Sequence, residues 1–157
     1  MQTSSKKAFT MVELVFVIVV IGILAAIAVP KFAATRDDAT ITKAIATIGS
    51  VRSALSTERQ KRILRGDFTT ITSLNNGGTG SITKFSNDKD GNANDVLEYD
   101  LPACTSGQLG CWTVSGTAPS ETYRYQMPTS GYVDFNITNN RFDCKLPSDA
   151  NCKLLTH

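Results

Sequence analysis

The stretch KAFTMVELVFVIVVIGILAAIAVP, residues 7–30, decides how the chain can fold. From Leu14 to Pro30 it carries no charge. That block is about 17 residues long, near the lower limit for crossing a hydrocarbon core ~30 Å thick. Including residues 9–12 makes the span comfortable but places Glu13 inside it. A carboxylate within hydrocarbon costs roughly 2.5–3.5 kcal/mol on insertion scales, so Glu13 is a functional residue that requires a partner. Lys6 and Lys7 precede the block and nothing comparable follows it directly, which orients the N-terminus toward the cytoplasm. A secretory signal is cut after its apolar core, at a small residue. Here the small residue, Ala8, comes before the core, although Ala25–Ala28 could imitate a conventional site.

Beyond Pro30 an amphipathic helical pattern resumes. Ile41, Ala44, Ile45, Ile48, Val51 or Arg52, and Leu55 follow three- and four-residue steps and share one face. Glu58, Arg59, Lys61 and Arg62 are assigned to the other faces. Gly49 is a weak point within the pattern and Gly66 a natural stop. Helix from Phe9 to Arg65 would be about 85 Å long at 1.5 Å per residue. No small soluble domain buries that length, so half of it must be buried in a membrane or among sister helices. Residues 66–100 read as loop, with turn-rich clusters at 75–78 and 88–95. Short strands are expected at Trp112–Val114, Thr122–Gln126 and Tyr132–Asn136, with turns at Pro128–Gly131 and Asn139-Asn140. The fold class is α+β: one long helix whose distal half packs on a small antiparallel sheet. The divisions are residues 1–8 as leader, 9–30 as membrane and assembly helix, 31–65 as its amphipathic continuation, and 66–157 as a head.

Four cysteines, Cys104, Cys111, Cys144 and Cys152, lie in the last third. An even number in the part beyond the membrane fits two disulfides, which a sheet this small needs. Three pairings are open; the sequence-local one, Cys104–Cys111 with Cys144–Cys152, is preferred. Of the 16 basic residues two precede the apolar block, and the remaining 14 match the 14 acidic ones. No basic surplus marks nucleic acid as the main partner. His157 is the sole histidine and stands at the terminus, and no Gly-rich phosphate loop or zinc spacing occurs, so an enzyme is not indicated. In residues 87–95 oxygen-bearing side chains alternate around Gly91. Asp88, Asp90, Asn92 and Asp95 are candidate calcium ligands, although the spacing is not that of an EF-hand and a solvated turn is the plainer explanation. No other cofactor is indicated. Asp134 to Thr138 fits a bacterial N-glycosylation pattern at Asn136, inside an expected strand.

The segment Phe9-Thr10-Met11-Val12-Glu13-Leu14, after Lys7-Ala8, resembles the type IV prepilin superfamily, which includes type II secretion and competence pseudopilins. That family has a basic leader ending in a small residue, then Phe-Thr-Leu-Ile-Glu-Leu and a long apolar helix. Met11 and Val12 are conservative changes; Ala8 stands where the family usually has Gly. The resemblance covers residues 6 to about 55 and implies a pilin-like fold. It implies cleavage between Ala8 and Phe9 by a prepilin peptidase, and N-methylation of Phe9. It further implies pairing of Glu13 with the Phe9 amine of a neighbouring subunit, and a proline, here Pro30, at which the helix kinks or melts, with Gly22 adding softness. Homologous pilin subunits, the peptidase and methyltransferase, and an inner-membrane assembly platform are the implied partners.

Three functions compete. The leading one is a structural subunit of a type II secretion pseudopilus, anchored once in the inner membrane with its head in the periplasm. A competence or type IV pilus subunit is the second. The third is a periplasmic binding protein that the helix merely tethers.

Overall fold

The computed structural model describes residues 9–156, without the side chains of residues 33 and 34. The chain divides into two compact units, one ending at Asp38 and the other beginning at Ala39. A single helix, α1 (Met11–Leu64, 54 residues), contributes to both. Both of its ends are set by local chemistry. At the start the Thr10 hydroxyl accepts the Glu13 N–H, while the Glu13 carboxylate accepts the Thr10 N–H at 2.8 Å. This reciprocal capping box satisfies donors that the first turn leaves without helical partners. At the end Gly66 adopts a positive φ of 70°. Its N–H reaches the Ile63 carbonyl at 2.9 Å and the Asp67 N–H the Arg62 carbonyl at 2.8 Å. Those paired bonds are a Schellman motif, for which glycine carries no Cβ penalty. The stop expected at Gly66 is where the helix ends. Pro30 lies inside α1.

The second unit is built on one stripe of α1. Ala44, Ile48, Val51 and Leu55 are buried, as their helical spacing predicts. Ile45 is half exposed and Arg52 only partly buried. The stripe then continues through Glu58 (2% exposed) and Arg62 (0%), two residues assigned from the sequence to other faces. Spacing already placed both on the buried side, since each follows Leu55 by a three- or four-residue step. Charge argued against burial, and pairing overcame it. Arg62 Nε donates to Glu58 Oε1 at 2.9 Å, and its Nη2 donates to the Ser86 carbonyl at 2.5 Å. Asn94 Nδ2 donates to both Glu58 oxygens at 3.1 and 3.2 Å.

Against this face lies a four-stranded antiparallel meander in the order β1-β2-β3-β4. Its strands are β1 (Trp112–Ser115), β2 (Thr122–Gln126), β3 (Tyr132–Thr138) and β4 (Arg141–Cys144). Alternation sends Trp112, Tyr123, Tyr125, Val133, Phe135 and Phe142 to the core face. There Phe135 stacks on Phe142 with centroids 5.0 Å apart, and Trp112 tilts against Tyr125 at 5.1 Å. The outer face is polar, with Arg124 paired to Asp134 at 2.7 Å. β3 and β4 are joined at Asn139 and Asn140, both at positive φ (53° and 58°), the conformation of a two-residue hairpin turn. Strand β4 and a short C-terminal helix, α2 (Ala150–Thr156), add to the elements anticipated from sequence. Asp149 Oδ1 caps α2 by accepting the N–H groups of Asn151 and Cys152.

Residues 66–101 have no extended strand, only the bridges Ile82↔Leu101 and Lys84↔Asp95, yet they are not mere solvated loop. Ile71, Leu74, Ile82, Phe85 and Val96 join the core. Glu121 ties this segment to the sheet, accepting from the Ser73 hydroxyl at 2.8 Å and from the Tyr123 hydroxyl. Burial, reinforced by the Glu121 carboxylate, pushes the Tyr123 phenol above its ordinary value. Removing one partner of a buried ion pair typically costs ~3–5 kcal/mol, because the other charge is left without compensation. Arg62→Ala should therefore destabilise the head by about that amount in urea unfolding of the detergent-solubilised chain. The double change Glu58→Leu with Arg62→Met should cost distinctly less.

Candidate functional site

Residues 9–30 carry a single charged side chain, Glu13, in an otherwise largely apolar surface. Phe9 (86% exposed), Met11, Val12 and the apolar side chains through Phe32 are exposed or half exposed. None of the most apolar 18-residue stretch of α1 is buried against the rest of the chain. By length and composition this helix can cross a membrane. Glu13 is the exception. Its Oε2 accepts both the Thr10 N–H (2.8 Å) and the Thr10 hydroxyl (2.9 Å), whereas Oε1 accepts no hydrogen bond among the described residues. One oxygen thus completes the helix cap, and the other can take a cation brought from outside. Thr10 is the functional residue that sequence inspection passed over; the Thr-x-x-Glu spacing of a capping box was its signal. Ala8, the residue expected to precede the cleavage point, lies outside the described residues. Pro30 has no N–H to donate to the carbonyl four residues earlier, so the helix is weakened there without being interrupted.

The cysteines pair locally, Cys104 with Cys111 and Cys144 with Cys152, at Cα separations of 5.6 and 6.3 Å. The first closes a loop beside β1, and the second fastens α2 to β4. Within the first loop Gly110 has φ +71°, and a Cβ there would fall 2.4 Å from Thr40 Cγ2 on α1. Only glycine permits that approach.

The four candidate calcium ligands do not converge. Asp88 turns inward, its Oδ1 accepting the N–H groups of Asp90 and Asn92 at 3.0 and 2.8 Å. Its Oδ2 lies 3.5 Å from Arg65 Nη1. Asp90 pairs with Lys89, and Asp95 with Lys84. Among the described residues no group of three or more His, Cys, Asp or Glu is placed to hold a metal. The segment instead forms a turn nucleated on Asp88 and pinned to Asp67, whose Oδ2 accepts the Lys89 N–H at 3.0 Å.

Residues 3–29 match the prokaryotic N-terminal methylation motif. Over 48 residues the chain is 54% identical to the type IV narrow pilus major component of Thermus thermophilus, covering 31% of this chain and 41% of that protein. Over 62 residues it is 39% identical to a fimbrial protein of Pseudomonas aeruginosa, covering 40% and 38% of the two chains. Over 57 residues it is 39% identical to a fimbrial protein of Moraxella nonliquefaciens, covering 36% and 37%. The chain spans about two fifths of the length of these relatives. No solved structure matches it. An apolar helix with a capped Glu13, continuing into an α+β head, is a pilin-like arrangement. Its N-terminal segment carries the prokaryotic methylation motif and is similar to type IV pilus and fimbrial proteins. Its relatives are named as pilus and fimbrial components, not as enzymes.

Asp67 and Asp88 give the head an acid limit. Burial acts to raise the Asp67 carboxyl, but the Thr69 N–H and hydroxyl, the Lys89 N–H and the Arg62 charge together hold it at about 2, below its ordinary 3.8. The Asn92 N–H lowers Asp88 against the opposing effect of burial, with help from the Asp90 N–H and Arg65. Both folded-state values lie below the unfolded ones, so the stabilisation is complete above pH 3.8 and is lost as pH falls toward about 2. Asp67→Asn should lower the melting temperature at neutral pH and flatten its decline across that acid range, as followed by circular dichroism.

Proposed function

We propose that the chain is a structural subunit of a type IV pilus filament, and that its first unit is both membrane anchor and assembly element. The observation carrying this reading is an exposed apolar segment, residues 9–30, whose one carboxylate keeps one oxygen without a hydrogen bond among the described residues. Cleavage between Ala8 and Phe9 creates an α-amino cation at Phe9, and N-methylation leaves that charge in place. The cation of one subunit meets Glu13 Oε1 of its neighbour while Thr10 retains Oε2. Both charges are then compensated, and the cost of holding a carboxylate in an apolar medium falls. Sister helices replace lipid around residues 14–29. At Pro30 the missing hydrogen bond lets the helix bend or unwind as a subunit leaves the bilayer.

The partners in this scheme are homologous subunits, a prepilin peptidase and methyltransferase, and an assembly platform in the inner membrane. The head lies in the periplasm, where the two disulfides are stable. The relatives are pilus components, and we take a pilus in preference to the type II secretion pseudopilus, which shares the same N-terminal chemistry. Deleting the chain should abolish surface filaments and leave protein secretion intact; the reverse outcome selects the pseudopilus.

Mass spectrometry of the mature protein should find an N-methylated Phe9 at the N-terminus. A chain retaining Met1, or beginning after Ala28, would overturn the assignment. Glu13→Val should still insert into the membrane, yet lower the yield of sheared filaments by at least about tenfold, the equivalent of 1.4 kcal/mol. A simple tether predicts full function for that variant.

A further inference from the structure

Two surfaces of the head, on opposite flanks of α1, carry opposite charge, and the N-terminal chemistry uses neither. The first is a cleft of about 460 Å³ between α1 and the free edge of β4. Arg52, Arg59 and Arg141 line it, and Asp143 is the sole acid among its lining residues. Asp143 holds two of the guanidinium groups in place, Oδ1 taking Arg52 Nη2 and Oδ2 taking Arg141 Nε, each at 3.1 Å. Arg52 Nε also donates to the Phe142 carbonyl at 3.0 Å, and Arg59 Nη1 donates to the Thr69 carbonyl at 2.9 Å. A guanidinium has five donors, so these contacts position the three groups and leave most of their hydrogens unspent. Three cations against one carboxylate leave a net charge of two positive units. Arg141 remains 76% exposed.

The second surface is the tripeptide Glu98-Tyr99-Asp100. All three residues are exposed, Tyr99 to 79%. Neither acid forms an ion pair or hydrogen bond among the described residues. The segment is nonetheless fastened at both ends. Val96 is buried and its N–H reaches the Thr83 carbonyl at 2.8 Å, while the Leu101 carbonyl accepts the Ser81 N–H at 2.8 Å. A solvent-facing tyrosine between two unpaired acids, on a loop anchored this firmly, is a preformed projection.

Helix geometry fixes the relative placement. Leu101 and Pro102 lie against Thr40, Lys43, Ala44 and Thr47. At 3.6 residues per turn those positions flank the buried stripe on the side away from Arg52, Ser56 and Arg59. The Leu101 end of the projection reaches nearer the N-terminal end of α1 than the cleft does. A contact joining the two surfaces therefore cannot be made within one head. It joins different patches on successive copies, displaced along the helix axis, and such heterologous contacts propagate as open helical arrays.

We infer that Glu98-Tyr99-Asp100 of one subunit seats in the Arg52–Arg59–Arg141 cleft of the next. The two carboxylates balance the surplus of two positive charges through charge-assisted hydrogen bonds, and the Tyr99 ring offers a face to a guanidinium. The inference rests on assembly into a filament and adds the surface by which heads recognise one another.

Charge exchange in the full-length chain, expressed in its own cells, tests the pairing. Arg59→Glu with Arg141→Glu, and separately Glu98→Arg with Asp100→Arg, should each lower sheared-filament yield by at least about tenfold, since like charges in contact cost several kcal/mol. Combining all four should restore the yield to within about threefold of the unaltered chain, because the interaction is re-formed with its signs reversed. Every variant should keep Phe9 as its mature N-terminus and both disulfides oxidised. Should a reversed head fail to fold, the neutral pair Glu98→Gln and Asp100→Asn probes the same contact and should lower the yield. Unchanged filament yield in either reversed variant, or no recovery in the fourfold variant, would overturn the inference. Absence of filaments from the unaltered chain overturns filament assembly itself, and the inference with it.

Discussion

Arg62 is buried at the C-terminal end of α1, with Glu58 one turn earlier as its counter-ion, and the organisation of the head depends on that pair. Residues 66–101 lie against the helix with hardly any ladder of their own. A segment of that length placed next to a core must still satisfy its backbone carbonyls. Arg62 supplies donors where strands would otherwise have done so, reaching the Ser86 carbonyl while Glu58 takes the Asn94 amide. The arginine also stands over Asp67, which gathers donors from Thr69 and Lys89 and so begins the turn that Asp88 completes. One buried cation thereby organises three successive bends of irregular chain. That is a better return than an ion pair usually gives, because burial of charge costs as much as pairing recovers unless every donor is used.

The other end of α1 meets the opposite solvent condition with the same device, a carboxylate held by a residue one turn away. In the head, Glu58 has its partners within its own chain. In the apolar segment, Glu13 has Thr10 alone among the described residues, and that on a single oxygen. The contrast is instructive. A fully compensated carboxylate stabilises the fold of one molecule, while a half-compensated one in an apolar surround is a standing demand for a second molecule. Capping through one oxygen is therefore compatible with the proposed assembly role of the other. Thr10 orients the carboxylate along the helix end, so the free oxygen is presented in a fixed direction.

Much of this was legible in the sequence, and the illegible part has a common cause. Caps, turns and periodicity are local signals. Gly66 as the helix stop, the Asn139-Asn140 turn, the stripe from Ala44 to Leu55 and the strand at Thr122–Gln126 all follow from spacing and turn chemistry. Glu58 and Arg62, expected on the other faces of the helix, fall on the buried stripe, because their charges are paired there. The four residues of β4 carry Arg141 and Asp143 on their outer side, which leaves too short an apolar signal for a strand. Around Asp88 the composition suggests a cation site, but the carboxylate faces inward, with Oδ1 held by two backbone donors and Oδ2 set 3.5 Å from Arg65 Nη1. Composition alone does not reveal which way a side chain points.

A division of labour between the two units follows from where specificity can reside. The apolar segment of α1 offers any similar helix the same surface, apart from one carboxylate at one height. The match to the prokaryotic methylation motif, residues 3–29, falls in this part of the chain. In the proposed filament, contacts of that kind would set axial register through Glu13 and give strength through area, yet they discriminate poorly among related subunits. Discrimination needs features that a wrong partner would leave unpaired, and exposed fixed charges supply them. The arginine cleft and the acidic projection both lie in the head, where the chain is free to differ from its relatives. Buried ion pairs inside the head are unsuited to that task, since they are already satisfied. A chain that must assemble only with its own kind would accordingly keep its internal charges closed and leave a small complementary surplus on opposite flanks, which is the distribution found around Arg59, Arg141, Glu98 and Asp100.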